Sequence, residues 1–323
     1  MESRTSTPHR ALFVAAVATA IRAPSMHNTQ PWRFRIHGDT LEILADPRRQ
    51  LRVADPSGWA VRLACGAALF NARLAFAVAG RPAQVLLRPQ AGQPDLLARL
   101  TPGRPRPATP REVALHAAID RRHSNRRPFR PEPVPASSRA ELVRAARDEG
   151  AWLELLIGHT PLSVVSEVIR AADATLNRDA GYRAELAAWS RRGHEDPDGV
   201  AADAAGLGPE PYDLLAMREF GAGPRAPGRD FETEPLVAVL GTTGDTVHDQ
   251  LVAGQALQRV LLTATEQQLG VSMLSQAIEV PAARERLRVG VGRAGAPQLV
   301  LRIGYSQPGY PTRRRPLDEV LDG

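Results

Sequence analysis

Residues 24–32 read Pro-Ser-Met-His-Asn-Thr-Gln-Pro-Trp, which sets a hydroxyl, an imidazole and two carboxamides between two prolines. Each proline fixes φ and deletes a backbone donor, so the residues between Pro24 and Pro31 are expected in neither a helix nor a central strand. A short rigid loop of this composition can aim side chains and free N–H groups at a polar planar ligand. The same loop would also serve as a plain connection, as most loops do. A second cluster, Arg121-Arg122-His123-Ser124-Asn125-Arg126-Arg127-Pro128-Phe129, follows an expected helix. Guanidinium groups grip phosphate in bidentate geometry, with a solvated arginine patch as the alternative. Near the C-terminus, Pro311-Thr312-Arg313-Arg314-Arg315-Pro316 adds three more cations. If that segment is extended, Arg313 and Arg315 share a face.

Composition narrows the chemistry. All 41 basic residues are arginine, which removes Schiff-base and P-loop lysine chemistry. The formal charge of +6 is dispersed among acids, with no aromatic ladder, so nucleic acid is not expected as a partner. Cys65, the one cysteine, lies in an apolar run and excludes an intramolecular disulfide or a thiolate cluster. The eight histidines have no paired spacing with acids, and no metal site is expected. Gly290-Val291-Gly292-Arg293-Ala294-Gly295 satisfies a dinucleotide-binding pattern but leads into a strand, the wrong context for that fold. No G-x-S-x-G elbow occurs. Residues 10–21 imitate a signal peptide, yet Thr7-Pro8 makes a helix start and cleavage near Ala20 would expose the proline-bounded loop. The expected location is the cytoplasm, with no membrane partner.

The elements follow from periodicity and stop signals. A helix is expected over residues 8–22, then a hairpin turning at His37-Gly38-Asp39, then a long apolar helix opened by Asp55-Pro56 and running to about Gly80. Short strands are expected over 85–87 and 96–100. The Pro-rich stretch 101–110 is the candidate boundary between a half of residues 1–105 and a half of residues 106–323. In the second half, Ser138-Arg139-Ala140-Glu141 reads as a capping box and Gly150 as the stop. Strands are expected over 152–157, 236–240 and 298–305, with a helix over 249–269 ended by Gly270. Residues 191–230 are rich in Gly, Pro, Asp and Arg and lack periodicity; a segment of that kind is a lid, an arm or a mobile loop. The mixed order of strands and helices makes the class α+β.

The proline-bounded loop resembles the loop of nitroreductase-type flavoproteins that contacts FMN, and the arginine cluster resembles the opening motif of that family. Leu269-Gly270-Val271-Ser272-Met273-Leu274-Ser275-Gln276 resembles the family segment whose backbone N–H approaches flavin N5. With Ala253-Gly254-Gln255-Ala256-Leu257-Gln258-Arg259, the chain over residues 8–320 is most similar to the divergent actinobacterial, Acg-like group. The resemblance implies a nitroreductase-like fold and FMN as cofactor. It implies as ligands Ser25, Met26, His27, Asn28, Arg122, His123, Ser124, Arg126, Ser275, Gln276, Arg313 and Arg315. The family often carries lysine where Arg126 stands; arginine keeps the charge but changes the geometry.

In the family's homodimers the two motifs of one flavin site come from different subunits. Here each occurs once, in different halves, which implies a single chain that mimics the dimer and keeps one complete site, either as a monomer or as a weak homodimer. The implied activity is NAD(P)H-dependent oxidoreduction in which NADH or NADPH delivers hydride to flavin N5. A small-molecule acceptor such as a quinone or nitro-compound then takes the electrons, in ping-pong order. The flavin carries the chemistry, so no catalytic side-chain pair is needed. The competing reading is an FMN-sequestering protein whose lid, residues 191–230, allows little or no turnover.

Overall fold

The computed structural model describes residues 9–190, 193, 195–210, 212–221, 231–232, 234–306 and 311–322. The run that imitates a signal peptide is a core helix, α1 (Arg10–Ala20), with Phe13, Ala16, Val17 and Ala20 fully buried. The chain then passes the proline-bounded loop into a hairpin of β1 (Trp32–His37) and β2 (Thr40–Ala45). Strand periodicity buries Trp32 and Phe34 of β1. Gly38 makes the turn at φ 54°, a conformation that costs glycine little.

The long apolar helix is α2 (Trp59–Val78). It is long and apolar enough to cross a membrane, but 83% of its apolar window is buried inside the fold. Asp55 does serve its start, through Oδ2 accepting from the N–H of Val61 at 3.2 Å. The helix begins four residues later than the Asp-Pro signal, however, with Gly58 as its N-cap. β3 (Ala83–Leu87) and β4 (Leu96–Pro102) follow.

Next come α3 (Pro110–Ala118) and α4 (Ala136–Arg147). Thr109 and Glu112 form the capping box of α3. The box expected at Ser138 is not made: α4 starts at Ala136 after Pro135, which puts Ser138 inside the helix. β5 (Trp152–Leu156), α5 (His159–Arg178) and α6 (Ala180–Trp189) lead to the segment expected as a lid. Beyond it lie β6 (Leu236–Thr242), α7 (Val247–Glu266), β7 (Leu269–Leu274), α8 (Gln276–Glu279), α9 (Pro281–Val291) and β8 (Ala296–Tyr305). Gly270 does not end α7. Gln268 turns the chain at φ 61°, and Gly270 lies within β7, where a Cβ would meet Ser306 and Phe129. The chain closes with α10 (Leu317–Val320) and β9 (Leu321–Asp322).

Two sheets result. One has the order β3-β4-β2-β1-β9, the other β5-β6-β8-β7 with every neighbour antiparallel. β9 joins the first sheet parallel to β1, so the chain's end completes the sheet begun near its start. Between the sheets α2 crosses α7 with backbone against backbone. A Cβ on Gly66 would lie 2.4 Å from the carbonyl oxygen of Leu251, and one on Gly254 2.2 Å from that of Leu63. This α+β arrangement is the expected class.

Candidate functional site

Three of the five non-glycine residues that take positive φ among the described residues are His27, Asn28 and Gln30. Left-handed backbone at bulky residues is disfavoured and persists where surrounding contacts over-determine it. Gln30 supplies them. Fully buried, it donates from Nε2 to the carbonyl of Pro197 at 2.7 Å and accepts at Oε1 from the N–H of Arg315 at 2.8 Å. Its own N–H donates to Ser25 Oγ at 2.9 Å. The loop is thereby fixed to a later segment and to the C-terminal arginines, with one short 3-10 turn over Met26–Asn28.

The loop faces two adjoining cavities that share Pro24, Ser25 and Arg126 in their walls. The smaller, about 400 Å³, is polar and is lined by Asn28, Arg122, Ser124, Arg126 and Arg314. The larger, about 820 Å³, is mostly apolar. Met26, His27, Trp59, Leu63, Leu257 and Met273 lie in its wall, with Arg126, Ser272 and Ser275 among the polar exceptions. Asn28 from the first half and Arg122 from the second therefore meet in one crevice.

The polar cavity brings together the cations Arg122, Arg126 and Arg314. Arg122 is buried, and its Nε and Nη1 have no hydrogen-bond partner among the described residues. Burial, and then the charge of Arg22, push its pKa down to about 10. Arg314 donates to Thr312 and to the carbonyl of Ala23, yet its Nε is unpaired. Burial, with Arg122 and Arg22 nearby, brings its pKa to about 9. Asn28 anchors itself by donating from Nδ2 to the carbonyl of Arg313 at 3.2 Å, while its buried Oδ1 has no partner. Buried N–H groups without partners cost about 1–3 kcal/mol each, and more when charged. Clustered guanidinium charges beside a void are what a bound dianion such as phosphate would repay.

At the apolar end, His27 is buried, meets Phe220 edge to face at 5.4 Å and takes a hydrogen bond at Nε2 from Arg218 at 3.2 Å. An imidazole that accepts there carries its proton on Nδ1 and is neutral. Burial, with Arg218 and Arg126 beside it, holds its pKa well below the usual value. Arg218 is itself bound by the buried carboxylate of Glu279 and donates to Ser275 Oγ at 3.2 Å. Arg126 donates to the carbonyl of Ala204 at 2.7 Å and stacks over Phe220 at 4.7 Å. Burial, then Arg218, lowers its pKa to about 10.

Of the residues singled out from sequence, Ser25, Met26, His27, Asn28, Arg122, Ser124, Arg126 and Ser275 line this paired cavity. Four do not. His123 turns to a separate surface groove with Asp120 and Arg121. Gln276 is buried and donates to the carbonyl of Ala216 and to Asp173. Arg313 is half exposed and pairs with Glu195. Arg315 is turned to Glu319. The expected extended parity fails because residues 311–316 form no strand, and Arg314 is the member that reaches the cavity. Sequence reasoning also missed Arg218 and Ser272; the latter is buried with an unpartnered hydroxyl in the wall of the larger cavity. Arg218 lies in the stretch expected as a lid. Among its described residues, Val200, Ala205, Leu207, Met217 and Phe220 also line one cavity or the other. Residues 191–192, 194, 211 and 222–230 of that stretch lie outside the described residues.

The arrangement is an α+β fold with one crevice, cationic and polar at one end and mostly apolar at the other. No protein-family model matches the chain. A protein of Mycobacterium tuberculosis H37Rv that bears the name "Putative NAD(P)H nitroreductase" is 33% identical, over 94% of this chain and 89% of that protein. A second protein of that strain, of no named activity, is 31% identical over 95% and 91%. A protein of the same organism named "Putative NAD(P)H nitroreductase acg" is 29% identical over 95% and 94%. The chain belongs to this divergent, Acg-like family of nitroreductase-like proteins. Among solved structures, a nitroreductase with bound FMN from Desulfitobacterium hafniense aligns at a TM-score of 0.42 and 13% identity, over 64% of this chain and 96% of that one.

Proposed function

We propose that the protein is an FMN-dependent NAD(P)H oxidoreductase that works on small flat acceptors of the quinone or nitro-compound type. The observation that carries the reading is the junction of the two cavities. Among the described residues, buried N–H groups of Arg122 and Arg314 and the side-chain oxygen of Asn28 lack partners in the wall of one polar space, which adjoins an apolar one through Pro24, Ser25 and Arg126. Arg122, Arg314 and Ser124 would hold the phosphate of FMN. Ser25 and Arg126, at the junction, and Asn28 in the polar cavity beside them would hold its polar linker and the near edge of its ring. The apolar wall of Trp59, Leu63, Leu257 and Met273 would enclose the ring and keep water from it, and Ser272 and Ser275 would offer it hydroxyls. When bound, FMN supplies reversible hydride acceptance from a nicotinamide, so the protein needs no general acid–base pair. Neutral His27 fits this: it is a hydrogen-bonding wall residue and not a proton donor at neutral pH. Donor and acceptor would use the same slot in turn, giving ping-pong kinetics. A reducing, cytoplasmic setting accords with this use of NADH or NADPH.

We also propose that residues 1–105 and 106–323 act as the two subunits of a dimer fused in one chain, each supplying one side of the crevice. The test of the main reading is the absorption spectrum of the purified protein, before and after NADH or NADPH is added without oxygen. A yellow protein whose flavin band bleaches supports it; a flavin that neither nicotinamide bleaches overturns it. The second reading, sequestration of FMN with little turnover, draws on the way Met217, Arg218 and Phe220 wall the larger cavity. Rapid bleaching of the intact protein would end that reading, whereas bleaching that is fast only after residues 195–221 are shortened would favour it.

A further inference from the structure

The arginine loop contains Arg126, which is spanned locally by Asn125 Oδ1 accepting the N–H of Arg127 at 2.9 Å. The structure shows two pins. Upstream, the N–H of Asn125 donates to the carbonyl of Val271 at 3.0 Å, and Ser124 bridges Val271 in parallel, which fixes the loop on β7. Downstream, the pin is built on Arg302, which is 1% exposed in the middle of β8 and lines neither cavity of the site. Its Nη2 donates to the carbonyl of Arg127 at 3.0 Å and to Glu232 Oε2 at 2.8 Å. The same Glu232 oxygen accepts the N–H of Phe129 at 2.9 Å. The ring of Phe129 stacks on the guanidinium at 3.9 Å and is pressed onto a patch without side chains. A Cβ on Gly304 would lie 2.7 Å from the ring, and one on its strand partner Gly270 3.2 Å. Arg126 is the one residue between the two pins.

A cation at the centre of a strand costs several kcal/mol to bury unless it is paired and hydrogen-bonded. An apolar residue would fill this site more cheaply, and the residues that flank Arg302 in β8, Leu299 to Leu301 and Ile303 to Gly304, are apolar or glycine. What the cation does that an apolar residue cannot is hold a backbone carbonyl and a carboxylate in fixed directions. From this geometry we infer that Arg302, with Glu232 and Phe129, is a positioning clamp that sets the reach of Arg126 into the crevice, and thereby the grip on the bound cofactor. The inference rests on the reading of the crevice as an FMN site.

The experiment compares Arg302→Met, the milder Arg302→Lys and Glu232→Gln with wild type, in the full-length protein, by two readouts. The first needs no flavin. Limited trypsin digestion of the cofactor-free protein is followed by mass spectrometry, and cleavage after Arg126 is scored against cleavage after the exposed Arg286. The clamp predicts that this ratio rises about tenfold in the variants, since a freed loop opens locally without global unfolding. The second is a double-mutant cycle on FMN affinity. Arg302→Met and Arg126→Ala each weaken FMN by about tenfold, and the double variant is no weaker than Arg126→Ala alone. Losses that multiply, or a cleavage ratio like that of wild type, overturn the clamp. If Arg302→Met does not fold, the other two variants are read against the same outcomes. A wild-type protein that binds no FMN would overturn the cofactor reading, and the cleavage ratio would still decide whether Arg302 positions the loop.

Discussion

Arg122 and Arg314 bear the electrostatic cost of the polar cavity, and replacing either separates cost from use. Arg122→Met removes a buried charge that has no partner, so the flavin-free protein should melt no lower than wild type. The same change removes charge-assisted bonds worth about 1.5–3 kcal/mol, so FMN affinity should fall about 10- to 100-fold. Riboflavin, which lacks the phosphate, should lose far less; equal losses for both flavins by fluorescence titration would place Arg122 elsewhere. The loop residues and most of the arginine cluster were legible in sequence because proline boundaries and cation density are local signals. Arg314 was not, because an extended segment would put Arg313 and Arg315 on one face, and no strand forms there. Arg218 lies in a segment with no periodicity, and Ser272 is one hydroxyl in an apolar strand; both are placed only by long-range packing.

The elements fix how closely the two halves approach. Helix axes come this near only where the crossing lacks side chains. Gly66→Ala should therefore cost several kcal/mol, since its new methyl would fall on the carbonyl of Leu251 and overpacking against backbone has no soft escape. Gly92→Ala, with nothing within 4 Å of its Cβ, is the control, and denaturant midpoints compare the two. The pairing of α2 with α7 was invisible in sequence because α2 is apolar over most of its surface and α7 buries polar residues such as Gln255 and Gln258 beside apolar ones, so neither names its partner face. At the start of α2, burial raises Asp55 to a pKa of about 6, against the pull of the N–H groups it accepts. The folded state thus binds the proton more tightly than the unfolded chain, so this group's contribution falls as pH rises from about 4 through 6. The expected loss is on the order of 2–3 kcal/mol. Asp55→Asn keeps an oxygen acceptor for the helix start and should flatten that slope. A slope unchanged in the variant, followed by denaturant midpoints from pH 4 to 7, would assign the titration to another group.

At the scale of the whole molecule, one chain supplies both sides of the crevice. The loop that carries Asn28 and the cluster that carries Arg122 each occur once, and β9 ties the end of the second half into the sheet of the first. A second equivalent site would need a second proline-bounded loop after α4, the position the first loop holds between α1 and β1. There the chain instead passes through Asp148-Glu149-Gly150-Ala151 directly into β5. A self-contained site should therefore load one FMN per 34.9 kDa chain, and association between chains should change neither that ratio nor the affinity. Flavin released by denaturation, counted against protein mass from light scattering, measures the ratio across a dilution series. Half a flavin per chain, or an affinity that falls as the protein is diluted, would mean that two chains build each site and that the fused-dimer reading is wrong. Because a ligand that binds only the folded state stabilises it in proportion to the logarithm of its excess over Kd, the melting temperature should also rise with added FMN at fixed protein concentration. A melting temperature that depends on protein concentration alone would point to the same failure.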